Sequence, residues 1–399
     1  MARKILHLDL DAFFCAVEEL HDPSLRGKAF AVGGRPEQRG VVASCSYPAR
    51  RYGVRSAMPM ARALALCPQL IIVSSRHGHY SEISRQVMGY LHALTPLVEQ
   101  ISIDEAFLDV SDLPEPAEQI ARQLQATIRR ETSLPCSLGV ATNKLLAKIA
   151  NDVGKAMNRD DSPPNAITVV QPGREAEFLA PLPVESLWGV GPKTAERLQE
   201  LGIRTIGDLA HWSQADLTHR FGKNGYDLAE RARGIDDRPL ELEHETKSIS
   251  QETTYARDVR DGAVLRRTLH SQVESVGRRL RQKELAGVTV KIKLRWPDFT
   301  TLTRQMTLDQ PTDQDAEIYD AAEAIFSQLW TPGKAVRLIG VGVAGLGPAA
   351  RQLSLWDTSG ERERRLQAAV DEIRERFGRD VIQRGTFQDI TGRDPDLPD

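Results

Sequence analysis

Three carboxylates offer the clearest chemistry in this chain: Asp9, and the adjacent pair Asp104-Glu105 far downstream. Asp9 belongs to an alternating segment, Lys4 to Leu10. There Ile5, His7 and Asp9 share one face and Leu6, Leu8 and Leu10 the other, the pattern of a strand buried on at least one side. Asp104-Glu105 interrupts a strand-like stretch from Gln100 to Val110, which predicts a tight hairpin with both acids at or beside its turn. Carboxylates from adjacent strands can hold two Mg²⁺ ions for in-line phosphoryl transfer, one activating an attacking hydroxyl and the other neutralising the leaving phosphates. Acids at turns also serve ordinary structural ends, and spacing alone leaves both readings open. Asp11, just ahead of a helical pattern from Ala12 to Leu20, is expected to be an N-cap instead.

Cations follow the acids. Ser46-Tyr-Pro-Ala-Arg-Arg-Tyr-Gly-Val-Arg55 gathers Tyr47, Arg50 and Arg51, and each arginine could fork onto a phosphate. Lys144 and Lys148 fall on a predicted helix from Asn143 to about Val153, capped by Thr142, with Lys155 just beyond it. Surface solubility is the competing explanation for each of these residues. Of Phe13 and Phe14, Phe13 reads as core. In Leu187-Trp-Gly-Val-Gly-Pro-Lys193, the glycines Gly189 and Gly191 with Pro192 open a helix whose free N–H groups and positive end suit a phosphate, with Lys193 beside them. This is a helix-hairpin-helix pattern, which grips DNA backbones without reading sequence. A plain glycine-capped turn is the alternative.

The elements that must position these residues come from a chain of 399 residues, enough for two or three domains at about 100–200 residues each. Its 41% hydrophobic and 27% charged content is that of a globular protein, not a disordered or fibrous one. No apolar run approaches the roughly 18 residues of a membrane span, and the charged N-terminus leaves no room for a signal-peptide core. Four scattered cysteines without a Cys-x-x-Cys suggest neither a disulfide framework nor a zinc site. A soluble, intracellular, multi-domain protein is expected. Net charge is −3, but Lys247 to Arg304 holds 13 Lys/Arg against 6 Asp/Glu, a local +7 of the kind phosphate contacts use, unless it is merely a solvated face.

Strands interleaved with helices up to the turn-rich break Asp160–Asn165 predict an α+β domain, including a strand over Pro135–Ala141. Helical patterns then run from Val184 to about Gly234, and a charged connector, Asp236 to Glu245, follows. The basic region beyond reads β-α-β-β-α-β, with strands near Ser248–Tyr255, Val288–Trp296, Thr300–Leu308 and Val336–Leu346 and helices near Val264–Leu285 and Asp315–Leu329. In Val288–Trp296 the residues Val288, Val290, Ile292, Leu294 and Trp296 should face inward, leaving Lys291, Lys293 and Arg295 outside. Glu361 to Phe377 places Leu366, Val370, Ile373 and Phe377 on one helical face that should pack on something, and Gly392–Asp399 reads as a disordered tail.

Taken together, His7-Leu-Asp-Leu-Asp-Ala-Phe-Phe-Cys-Ala-Val-Glu18, Cys45-Ser-Tyr-Pro-Ala-Arg-Arg-Tyr-Gly-Val-Arg-Ser-Ala-Met-Pro59, Ser102-Ile-Asp-Glu-Ala-Phe-Leu-Asp109 and Asn143-Lys-Leu-Leu-Ala-Lys-Ile-Ala150 occur in the order seen in Y-family DNA polymerases. The resemblance is to bacterial members of the DinB type and spans about residues 4 to 380. It implies an α+β right-hand polymerase: a ferredoxin-like palm (1–10 and 78–165), small fingers (11–77), a helix-hairpin-helix thumb (166–235), a linker (236–242) and a βαββαβ little finger (243–347). A C-terminal segment (348–399) follows.

The resemblance implies that Asp9, Asp104 and Glu105 bind two catalytic Mg²⁺ ions, with the backbone carbonyl of Leu10 as a further oxygen. Phe14 would be the steric gate that keeps out a ribose 2′-OH. Tyr47, Arg50 and Lys155 would hold the incoming dNTP, although Ala156 stands where family members carry proline. Gly189, Gly191, Lys193, Lys291, Lys293 and Arg295 would contact primer–template DNA. Gln352-Leu-Ser-Leu-Trp356 resembles the peptide that docks on the bacterial sliding clamp, through Gln352, Leu353, Leu355 and Trp356; a hydrophobic strand end is the alternative. The implied activity is error-prone translesion synthesis by a cytoplasmic monomer without proofreading. Two other readings compete. A clamp or repair adaptor related to such polymerases would have lost the three acids, and a simple helix-hairpin-helix DNA binder leaves the N-terminal motifs unexplained.

Overall fold

The computed structural model of the chain describes residues 3–158, 160–243, 245–349, 359–378 and 381–382. The chain divides into two compact units at residues 244–245. In the first, a five-stranded sheet runs in the order Val98–Gln100, Glu105–Asp109, Ile5–Leu10, Cys136–Ala141 and Ile167–Val169. The central Ile5–Leu10 strand is antiparallel to both neighbours and buried along its whole length, on both faces. Leu6, Leu8 and Leu10 join one core with Tyr80, Val87 and Leu91 of the His77–Leu94 helix and Ile120, Leu124 and Ile128 of the Ala117–Thr132 helix. Ile5, on the other face, belongs to a core with Leu145, Leu146 and Ile149 of the Lys144–Met157 helix. His7 and Asp9 are therefore polar groups held against a helix, 0% and 7% exposed.

That helix can lie so close because of one glycine. A Cβ on Gly139 would stand 1.8 Å from the carbonyl oxygen of Ala147, so any side chain there would push the helix off the sheet. Asn143, rather than the expected Thr142, is the N-cap: its side chain accepts from the Leu146 N–H at 3.0 Å. The helix also runs on to Met157 instead of ending near Val153, which puts Lys155 in its last turn. A proline at 156 would have disfavoured helical geometry at Lys155, and Ala156 has no such effect.

The predicted hairpin is present, with Val98 opposite Leu108 and Gln100 opposite Ala106. The Ser102 hydroxyl accepts from the N–H groups of Asp104 (3.2 Å) and Glu105 (3.0 Å) and donates to Asp104 Oδ1 at 2.6 Å. Asp104 thus closes the turn and Glu105 begins the second strand. Asp11 is not an N-cap. Ala12, left-handed at φ 48°, occupies that position before the Phe13–His21 helix and makes no side-chain cap. Asp11 is fully buried and accepts from Ser137 Oγ (2.9 and 3.0 Å) and the Asn165 N–H (3.0 Å). Buried donors outcompeted the helix end for its oxygens.

A three-stranded sheet, Val42–Cys45, Phe30–Gly33 and Ile71–Val73, forms the neighbouring part of this unit. Ser46 caps the short Tyr47–Arg51 helix behind it. Five further helices, Glu175–Leu179, Pro192–Glu200, Ile206–Ala210, Gln214–Phe221 and Lys223–Ala232, follow in this unit.

The second unit has the predicted β-α-β-β-α-β order: Ser248–Val259, Gly262–Gln282, Leu285–Arg295, Thr301–Thr312, Asp315–Leu329 and Val336–Pro348. Val290, Ile292, Leu294 and Trp296 are buried with Leu269, Val273 and Phe326 of the two helices. Val288 departs from the predicted alternation and is only half-buried, because the ladder shifts register between Gly287 and Thr289. The helix Ser359–Phe377 packs only through the middle of its predicted apolar face: Val370 and Ile373 are half-buried, whereas Leu366 and Phe377 at its two ends are 62% and 68% exposed. It is held by ion pairs to the Gly262–Gln282 helix, Arg281 Nε to Asp371 at 2.6 Å and Arg374 to Glu274 at 3.1 Å. Gln352, Leu353, Leu355, Trp356 and the Gly392–Asp399 tail lie outside the described residues. Among those described, no helix is long and apolar enough to cross a membrane.

Candidate active site

The three acids gather at one end of the central strand. Asp9 and Glu105 are direct partners across the antiparallel ladder, and the Leu10 N–H donates to the Asp104 carbonyl at 3.0 Å. A pocket opens there, lined by Asp9, Leu10, Phe14, Ser44, Arg50, Asp104 and Lys155. Above it, the Lys144–Met157 helix presents Lys144, Lys148, Asn151 and Lys155, spaced 4, 3 and 4 residues apart and hence on one face. Each meets a polar partner on the sheet. Lys144 pairs with Glu99 at 2.7 Å, Lys148 with Glu105 at 3.0 Å and Lys155 with Asp9 at 2.5 Å, while Asn151 Nδ2 lies 2.9 Å from His7 Nδ1. Lys144 and Glu99 are 4% and 9% exposed at the side chain, and removing either alone would cost about 3–5 kcal/mol by stranding the other's charge.

The neighbouring carboxylates titrate in opposite directions. Burial pushes Asp9 up to about 7; Lys155 opposes this, and the charges of Glu105 and Asp104 add to it. Glu105 is held below the usual carboxylate range by the His7 ring and then by Lys148, against its own burial. Burial lowers the pKa of His7, whose Nε2 faces Glu105 at 3.7 Å. Three carboxylates and a backbone carbonyl are hard oxygen donors of the kind Mg²⁺ takes, and a buried, like-charged Asp9 is the group that added positive charge would relieve most. As the side chains stand, no three metal-binding groups converge closely enough to ligate an ion among the described residues; the two lysines occupy Asp9 and Glu105 instead.

Arg50 lines the pocket and lies over the Tyr47 ring, 4.5 Å from its centroid. The Tyr47 hydroxyl is buried without a hydrogen-bond partner, a donor in need of an acceptor. Arg51 points elsewhere and pairs with Asp161 at 2.7 Å. Phe13 is core, as predicted, whereas Phe14 is half-buried at the pocket and stacks on Tyr80 with ring centroids 4.3 Å apart. In the helical region, Gly189 has φ +99° and Gly191 caps the Pro192–Glu200 helix with open space where its side chain would be; Lys193 is exposed. In the second unit, Lys291, Lys293 and Arg295 lie on the sheet face opposite the core, with Lys293 paired to Glu252 at 2.8 Å and Arg295 to Thr301 Oγ1 at 2.8 Å. Sequence reasoning missed Glu99, Asn151, Glu18 and Tyr80. Only Asn151 carried a readable signal, its place in the helical spacing of the lysines.

The sheet with acids at one strand end, the helix-hairpin-helix and the βαββαβ unit define a right-hand nucleotide polymerase. Models of the impB/mucB/samB family match residues 8–152, its C-terminal domain matches 246–355, and the IMS family HHH motif matches 172–203. The chain belongs to this family, the Y-family DNA polymerases of the DinB type, and is a DNA-directed DNA polymerase. It is similar to a DNA polymerase IV of Desulfatibacillum aliphaticivorans, 42% identical over 386 residues (95% of each chain). It also resembles a DNA polymerase IV of Halorhodospira halophila, 42% identical over 89% of this chain and 98% of the relative. Among solved structures, a Y-family DNA polymerase chimera of Dbh and Dpo4 superposes with a TM-score of 0.76 at 26% identity, over 86% of this chain and 99% of the other. DinB from Sulfolobus solfataricus gives 0.57 at 27%, over 86% and 98%.

Proposed function

We propose that the chain extends a primer 3′-OH with dNTPs on a DNA template by a two-metal mechanism, at Asp9, Asp104 and Glu105. The observation that carries this reading is the ladder pairing of Asp9 with Glu105 beside a pocket that Asp9 and Asp104 line together with Phe14, Arg50 and Lys155. Two Mg²⁺ ions bound there supply the activation of the attacking hydroxyl and the neutralisation of departing pyrophosphate. Asp9, Glu105, Asp104 and the Leu10 carbonyl hold them. For the two acids now paired with lysines, this means exchanging an ammonium for a metal ion. Lys155, once freed from Asp9, is within the pocket to meet phosphate charge, as Arg50 is, and the orphaned Tyr47 hydroxyl donates to a phosphate oxygen. Phe14 stands against the sugar.

Translesion synthesis is the family's trade; error-prone copying without proofreading, a sliding-clamp partner, a monomeric state and a cytoplasmic location extend the same reading and rest on that membership. Primer–template DNA would lie along the Gly189–Lys193 turn and the Lys291, Lys293, Arg295 face, both of which offer unspecific contacts to phosphates. The domain limits given above for palm, fingers, thumb and little finger are proposed with it. Single-nucleotide incorporation on four templates that differ only in the templating base tests the function. Incorporation should follow the template and require added Mg²⁺; template-independent addition, or none with DNA bound, would contradict it.

A further inference from the structure

Phe14 does not stand alone. Its ring lies nearly parallel to that of Tyr80, at 15° and 4.3 Å between centroids, and Tyr80 is fully buried. The Tyr80 hydroxyl donates to Glu18 Oε1 at 2.6 Å. Arg76 grips the same carboxylate from the other side, Nε to Oε1 at 3.0 Å and Nη2 to Oε2 at 2.5 Å. Glu18 follows Phe14 by one helical turn on the Phe13–His21 helix, so both point to the same face. Tyr80 spans that face, ring against Phe14 and hydroxyl against Glu18.

A buried carboxylate is a costly way to fill space, and an apolar side chain would stabilise a purely structural contact as well. What the carboxylate adds is direction. Its charge-assisted bond fixes where the Tyr80 hydroxyl sits, and a ring fixed at its far end cannot slide or tilt. Arg76, with its fork, fixes the carboxylate in turn.

We propose that Glu18, Arg76 and Tyr80 are positioning residues that hold the plane of the Phe14 ring and thereby set how strictly the enzyme excludes a ribose. This rests on the reading of Phe14 as the barrier at the sugar. A ring free to move by a fraction of an ångström would leave room for a 2′-hydroxyl some of the time, while still packing against a deoxyribose.

The test is the ratio of kcat/KM for a dNTP to that for the matching rNTP, in the full chain and in Tyr80→Phe, Arg76→Gln and Phe14→Ala. A ratio is independent of how much of each preparation is folded. Tyr80→Phe and Arg76→Gln should each lower it by about tenfold, the scale of one hydrogen bond to a charged group. Phe14→Ala should lower it further, and Tyr80→Phe should add nothing in a Phe14→Ala background, because the hydroxyl acts through that ring. If Phe14→Ala relaxes selection while Tyr80→Phe and Arg76→Gln keep the parent ratio, the positioning unit is wrong and the barrier stands. Additive losses in the double variant would also overturn it. If Phe14→Ala itself keeps the parent ratio, the barrier reading falls and takes this one with it.

Discussion

At the scale of single residues, Asp9 and Glu105 show how one backbone rung can carry two different acids. They face each other across the ladder, but the His7 ring and Lys148 favour the charge on Glu105, whereas burial penalises that on Asp9. Phe14 carries the most direct prediction at this scale. Phe14→Ala is expected to admit ribonucleotides while keeping DNA synthesis, read as primer extension with rNTPs alone; unchanged sugar discrimination would refute it. The acids, the arginine of the pocket and the aromatic pair were legible in the sequence because their motifs are local runs. Tyr80 and Glu18 were not, since nothing near either residue says that helices so far apart in sequence will stack their rings. Asp11 was misread for a related reason: its partners, Ser137 and Asn165, come from distant strands and loops and outweigh the local capping signal.

At the scale of elements, periodicity carried most of the fold. The alternation in Ile5–Leu10 and in Leu285–Arg295 marks true strands, and the errors fall where a local irregularity intervenes, as in the register shift that moves Val288 off the inner face. The helix Ser359–Phe377 was legible as a helix, but the ion pairs that help hold it were not, because their partners lie on a helix far away in sequence. Arg281 is the hub of that attachment, shared between Asp371 at 2.6 Å and Asp315 at 2.9 Å. One guanidinium serves two acids, and Asp315, 3% exposed at the side chain, is pushed up to about 6, first by burial. A carboxyl that binds its proton more tightly when folded stabilises fully below its unfolded value of 3.8, and loses that contribution as pH rises through about 6. Thermal unfolding of the full chain between about pH 4 and pH 7 should therefore show a decline that Asp315→Asn flattens. Equal slopes in parent and variant would count against the shared-guanidinium explanation.

At the scale of the whole molecule, the catalytic sheet and the basic βαββαβ unit are separate compact bodies. The proposed clamp partner rests on the Gln352-to-Trp356 sequence, which follows the last strand of the second body along the chain. Replacing Gln352 and Leu355 by Ala should abolish stimulation by a bacterial sliding clamp and leave clamp-free synthesis intact. Equal loss of both would show that the peptide serves folding instead. The acids at the end of the Ile5–Leu10 strand are proposed to hold the catalytic metals. Primer extension on a primed template with Mg²⁺ and four dNTPs, run beside the Asp104→Ala, Glu105→Ala double variant, tests this most directly. Extension by the parent and none by the variant, with both binding primer–template equally, is the expected result; extension by the variant at the parent's rate would contradict it.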